Sequence, residues 1–162
     1  MAKLRASRGL VLGLLAAGLT AACAMEETIP ASRIPKPVMD ALLGRFPGAR
    51  IEKASRAVEA GRVVYDIEFR QDGRKCEADI KENGEYLNYE IAIGFEQLPE
   101  AVRSRLEQSY PGASVKQIME EIQLAGGEEQ ISAYEILVVT ASAREVEVRF
   151  SPDGKILEVG RA

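Results

Sequence analysis

The sequence predicts an α+β fold of two tandem units, each a helix followed by a four-stranded antiparallel meander, with the helices packed on one face of the sheet. Three observations lead there. The stretch from Ile34 to Ile51, IPKPVMDALLGRFPGARI, is matched at a constant shift of 64 residues by the stretch from Leu98 to Val115, LPEAVRSRLEQSYPGASV. After each copy the apolar period falls from near four to two, the change from a helix stripe to half-buried strands. Each unit also supplies one amphipathic helix and one sheet face, which bury by meeting each other. A unit of about 65 residues is marginal alone, so the two are expected to fold cooperatively as one tandem body.

In chain order, residues 1–22 read as a secretory signal. Lys3, Arg5 and Arg8 precede an apolar run from Gly9 to Ala22 that is too short to span a bilayer. Its end, LTAAC from Leu19 to Cys23, resembles the lipobox of bacterial lipoproteins, whose cysteine is acylated and becomes the new N-terminus. The resemblance makes Cys23 a lipidation site. Ala22-Cys23-Ala24 also offers an ordinary cleavage site, which would give a secreted or soluble periplasmic form instead. One acyl chain holds marginally and two or more anchor stably, so the expected membrane contact is through the lipid alone. In such lipoproteins of Gram-negative bacteria an Asp after the cysteine favours inner-membrane retention. Ala24 in its place implies the outer membrane, facing the periplasm. Residues 23–33 lack a period and form a tether.

The first unit covers residues 34–91. Proline is tolerated in a first helical turn, so a helix starts at Pro35 to Pro37. Val38, Leu42 and Phe46 make its apolar stripe, and Pro47-Gly48 stops it. A polar strand from Ile51 follows, then alternation of Val63, Tyr65, Ile67 and Phe69 with polar residues. Asp72-Gly73 turns into the Cys76, Ala78, Ile80 strand, and Asn83-Gly84 turns into Tyr86 to Ile91. Residues 92–97 link to the second unit, 98–160. There the helix from Pro99 to Tyr110 precedes strands from Val115, from Ile131, over Val146, Val148 and Phe150, and from Ile156.

These motifs together, an I/L-P-x-x-V helix closed by aromatic-P-G-A, then Y-[DE]-I and a [DN]-G-[EK] turn, resemble the PepSY-like family, whose fold is similar to that of the proteinaceous β-lactamase inhibitor. The resemblance spans about residues 34 to 160 in two copies. It implies a helix-backed, curved sheet able to grip another protein. PepSY modules also occur in propeptides of thermolysin-type metallopeptidases, which suggests peptidase inhibition as one form of that grip. No catalytic residue follows from the resemblance.

Composition narrows the chemistry. The formal charge of −4 becomes −7 once the three cations of the leader are removed, which disfavours nucleic acid and anionic lipid surfaces as partners. Histidine is absent, so the commonest general base and metal ligand is missing and no Ser-His-Asp or Cys-His arrangement can be built. Cys76 alternates with apolar Ala78 and Ile80 and reads as a buried thiol rather than a reactive one. No catalytic residue, metal site or cofactor is expected. The carboxylate rows Asp66/Glu68, Glu77/Asp79 and Glu145/Glu147 read as solvated ladders interleaved with Lys75, Lys81, Arg70 and Arg149. A carboxylate-dependent hydrolase is the enzymatic alternative, and a structural envelope lipoprotein without a ligand is the third reading.

Apolar residues on the outward parity point to function. If Val63, Tyr65, Ile67 and Phe69 face the helix, Val64 faces out, and by the same logic so do Leu137 and Val139, with Tyr86 and Ile156 in the last strands. Such a cluster rimmed by charge suits a surface for another extracytoplasmic protein. Single exposed apolar residues are also ordinary, and these could instead meet the other unit or a second copy. The expected function is a non-enzymatic binding or inhibitory module acting through the open sheet face.

Overall fold

A computed structural model describes residues 26–59, 61–125 and 128–161. The signal, Cys23, Gly126 and Gly127 lie outside them. Strand β1 is Glu27–Ile29, and a 3-10 turn, Ala31–Arg33, leads into helix α1, Lys36–Arg45. Strands β2 Arg50–Glu59, β3 Arg62–Gln71, β4 Arg74–Lys81 and β5 Tyr86–Ala92 follow. After a second 3-10 turn, Phe95–Gln97, come helix α2, Glu100–Ser109, and strands β6 Ser114–Ala125, β7 Glu128–Val139, β8 Glu145–Phe150 and β9 Ile156–Arg161. None of the described helices is long and apolar enough to cross a membrane.

The expected pair of tandem helix-plus-four-strand units is overturned. All nine strands form one antiparallel sheet in chain order, β1 to β9, and β5 pairs directly with β6 from Asn88↔Gln123 to Ala92↔Met119. A separate four-stranded unit would leave edge N–H and C=O groups unpaired in mid-molecule, and the β5–β6 ladder satisfies them. The ninth strand comes from the segment read as tether, where Ile29 is buried opposite Ala54. The linker reading also meets structure: Ala92 closes β5, and Ile93 and Phe95 pack against the core under α2.

Each helix forms for the reasons its sequence suggests. Pro35 and Pro99 precede the first turns, and the backbone N–H groups of Phe46 and Tyr110 close the last turns on Leu42 and Leu106 at 2.8 and 2.9 Å. Helix α1 buries Val38 and Leu42 against Tyr65, Ile67, Phe69, Ala78, Ile80 and Tyr89. Helix α2 buries Val102 and Leu106 against Ile118, Tyr134, Ile136, Val148 and Phe150. Two hairpin turns seat the helix starts. At Gly154, φ +82, an added Cβ would lie 2.5 Å from the Ala101 carbonyl oxygen, and at Gly84, φ +88, 2.8 Å from that of Pro37. Only glycine combines that conformation with that approach.

Register puts both helices on one face. The row Phe69↔Cys76↔Ile91↔Glu120↔Tyr134↔Phe150 crosses six strands beneath them. Cys76 lies in it as a buried free thiol. Neighbouring residues on the same strands therefore line the opposite, helix-free face. Bulges in four strand pairs bend the sheet, and Glu77, Glu90, Met119 and Glu121 on the helix-free face are buried.

Candidate functional site

The helix-free face carries a row of acids in direct register: Glu68↔Glu77↔Glu90↔Glu121, then Ala133. Beside it run Asp66↔Asp79↔Asn88↔Gln123 and, two residues along, Met119↔Glu135↔Arg149↔Glu158. Like charges directly opposite one another across strands are destabilising, and here the opposition runs through four strands. It is also shielded from water: Glu77 and Glu90 are 8% exposed and Glu121 4%. The sequence reading placed the Asp66/Glu68 and Glu77/Asp79 parts of these rows in solvent, interleaved with lysine and arginine. The structure corrects this, because residues that alternate along one strand meet the same charge on the next.

Three cations relieve part of the row. Lys53 donates to Glu68 at 2.9 Å and Lys75 lies 2.6 Å from Glu77. Arg149 donates to both oxygens of Glu121, at 2.8 and 2.9 Å, and Ser132 Oγ and Gln123 Nε2 add bonds of 2.8 and 3.0 Å. Arg149 thus turns to Glu121 rather than to its register partner Glu135. The charges that bear on Glu90 and Glu135 are mostly those of other acids.

The protonation of these acids follows. Burial first, then the charges of Glu135, Glu77, Glu121 and Asp79, raise Glu90 well above the ordinary glutamate range. Burial, with Glu147, Glu77 and Glu121, pushes Glu135 up to about 8 against the pull of Arg149. Asp66 also rises to about 8 through burial and the charges of Asp79, Glu77 and Glu68, opposed by Lys53; the Ser55 hydroxyl bonds to it at 3.4 Å. Near neutral pH this face holds protons that exposed carboxyls would have lost. Among the described residues no group of three or more acids, cysteines or histidines is disposed to hold a metal ion.

The residues singled out from sequence divide between the two faces. Val64, buried, and Leu137 and Val139, buried and half-buried, lie on the helix-free face on opposite flanks of the acid row. Tyr86 and Ile156 do not join them. The bulge at Leu87 sets Tyr86 opposite Ile80, and the bulge at Leu157 sets Ile156 opposite Phe150, turning both toward the helices. Tyr86 packs on the first core and its hydroxyl donates to the Ala41 carbonyl at 3.2 Å, while Ile156 packs on the second. Glu90, Glu121 and Glu135 escaped the sequence reading. They alternate with Ile91, Ile122 and Ile136, which face the helices, so their parity reads as that of ordinary outward residues.

Comparison with known proteins follows this geometry. The sequence profile of a family described as "Putative beta-lactamase-inhibitor-like, PepSY-like" matches residues 63–158, more than half of the chain. No curated protein matches in sequence. Among solved structures, a BLIP-like protein from Bacteroides fragilis is 23% identical with a TM-score of 0.55, covering 79% of this chain and 86% of its own. A DUF2874 family protein from Bacteroides uniformis is 17% identical with a TM-score of 0.59, over 78% of this chain and 88% of its own. A protein from Bacteroides eggerthii described as "putative periplasmic" is 16% identical with a TM-score of 0.61, over the same shares, 78% and 88%. At these identities the likeness is one of fold.

Proposed function

Because the chain belongs to the PepSY-like, beta-lactamase-inhibitor-like family, we propose that it is a non-catalytic extracytoplasmic module that binds another protein through the helix-free face of its sheet. The observation that carries this is buried Glu90, which stands in a row of like charge with Glu77 and Glu121 on the strands to either side. A fold keeps such a group at a cost to its own stability. The cost has a return if a ligand supplies opposite charge. Half-buried Val139, beside buried Leu137, gives the face an apolar margin for contact.

Location outside the cytoplasm is supported by the signal-like leader and by the description of the Bacteroides eggerthii relative as "putative periplasmic". Acylation at Cys23 and an outer-membrane address complete the proposal. Inhibition of a peptidase is the form of binding that PepSY kinship favours. An acid-base hydrolase finds less support, since Arg149, Ser132 and Gln123 already occupy Glu121, the register partner of Glu90 on β6.

The test is capture of a partner from envelope extract by the mature protein. Val139→Arg, on the helix-free face, should abolish capture, whereas Leu43→Arg on the exposed side of α1 should not. Capture of nothing above background, or equal capture by both variants and wild type, would contradict the proposal. Palmitate labelling that survives Cys23→Ala would remove the anchor at that position.

A further inference from the structure

The segment that the sequence reads as a tether holds strand β1 at Glu27–Ile29, so residues 24–26 are all that separates Cys23 from the sheet. Strand β1 is fixed in place. Its residues pair with Arg56, Ser55 and Ala54, Ile29 is buried in the first core, and Arg33 reaches back to Glu27 at 3.7 Å. A fully extended chain covers at most about 3.6 Å per residue, so Cys23 lies within about 14 Å of the start of β1. Had the whole of residues 24–33 been a tether, the same arithmetic would allow about 40 Å, enough for the body to turn any side to a membrane.

Register shows which part of the fold lies at the short end. Strand β1 runs antiparallel to β2, so its N-terminal end points along β2 toward the β2–β3 hairpin, where Val58 is 45% exposed and Arg62 begins β3. The β4–β5 turn shares that end of the sheet, since Val64 pairs with Lys81. The turn at residues 140–144 is diagonally opposite. It follows β7, the sixth strand beyond β1 in a sheet whose neighbours stand about 4.8 Å apart. Strand β7 also starts at the hairpin end, through the ladders from β3 to β6, and finishes at the other.

We propose that acylated Cys23 holds the bilayer against one corner of the fold, the start of β1 and the tip of the β2–β3 hairpin, so that the sheet stands on that corner and the turn at residues 140–144 points away from the lipid; this rests on the acylation reading above. The short chain imposes the position, and attraction by charge does not. The corner carries both signs, with Glu27 beside Arg33 and Arg56, and Lys36 paired with Asp40, so it has no basic excess to draw it to anionic headgroups. Val58 favours the contact slightly, because its exposed apolar area leaves water at the headgroup layer. Standing on a corner leaves the helix-free face open to a partner.

The test uses the acylated protein, purified from membranes and reconstituted in vesicles of phosphatidylethanolamine and phosphatidylglycerol that contain a headgroup-nitroxide lipid. Cys76, 1% exposed, is replaced by alanine, and a fluorophore is attached at Arg62→Cys or at Ala141→Cys. Nitroxide quenching is short-ranged, so the loss of emission should be about fivefold greater at position 62 than at position 141. Inserting a flexible spacer of twelve Gly and Ser residues after Ala24 should reduce the loss at position 62 about threefold. Equal loss at the two positions, greater loss at 141, or a loss at 62 that the spacer leaves unchanged would overturn the inference while acylation stands. A mature protein whose mass shows no acyl chain on Cys23 overturns the acylation reading and this inference with it.

Discussion

The two faces of the sheet are built from alternate residues of the same strands, and they are held in opposite ways. Under the helices, Phe69, Cys76, Ile91, Tyr134 and Phe150 share a row, and Val38, Leu42, Val102 and Leu106 cover it. Burial of apolar area stabilises that face directly. On the other side Glu68, Glu77, Glu90 and Glu121 share a row and are shielded without being neutralised in full. The contrast teaches that burial has two uses in this molecule. One face supplies folding free energy, and the other spends part of it to keep charge desolvated and available.

Adjacent residues in β8 test the contrast most sharply. Phe150 is fully buried on the helix side, and Phe150→Ala should destabilise by about 3–5 kcal/mol, equally at pH 6 and pH 8.5. Its neighbour Arg149 faces the acid row, and Arg149→Met should cost about 3 kcal/mol by stranding buried Glu121. That loss should shrink at pH 6, where Glu90 and Glu135 hold protons and no longer repel Glu121. Urea titrations of both variants at the two pH values make the comparison. A pH-independent loss for Arg149→Met would show that its packing, not its charge, matters.

Much of the helix-covered face was legible in the chain. The stripes Val38, Leu42 and Val102, Leu106 are read at helical spacing, and both helices bury them. The Cys76, Ala78, Ile80 alternation likewise leads to a core position for the thiol. What escaped depended on which strand lies beside which. Strand β1 has three residues and one buried side chain, too little for a period to show. The bulges at Leu87 and Leu157 reverse the inside-outside order of Tyr86 and Ile156, and parity counted along an unbroken strand cannot register an inserted residue. The β5–β6 pairing, which brings Glu90 against Glu121 and merges the two expected units, joins residues separated by a whole helix. The acid row exists only once that pairing is made, so no local pattern announces it.

Smaller effects sharpen the acid face further. Glu90→Gln should stabilise the protein by about 1–3 kcal/mol at pH 8.5 and change little at pH 5, because glutamine reproduces the protonated form. A destabilised Glu90→Gln at pH 8.5 would show that the carboxylate has an internal partner. The wild type should itself melt lower at pH 8.5 than at pH 5.5. The sign follows from Asp66 and Glu135, both held at about 8 in the fold against about 4 when unfolded. Between those values the folded chain binds more protons than the unfolded one, so their contribution is complete below about pH 4 and is lost as pH rises through 8. Scanning calorimetry across that range reads the slope, and a melting temperature that climbs with pH would reverse it.

The most direct measurement is the titration of the Glu90 carboxyl carbon in the free protein. The account predicts a midpoint well above the ordinary glutamate range, falling toward it when Glu135 is replaced by glutamine. A Glu90 that titrates near 4 in the folded wild type would contradict it, since the face would then hold an ordinary, already compensated carboxylate with nothing left to offer a partner.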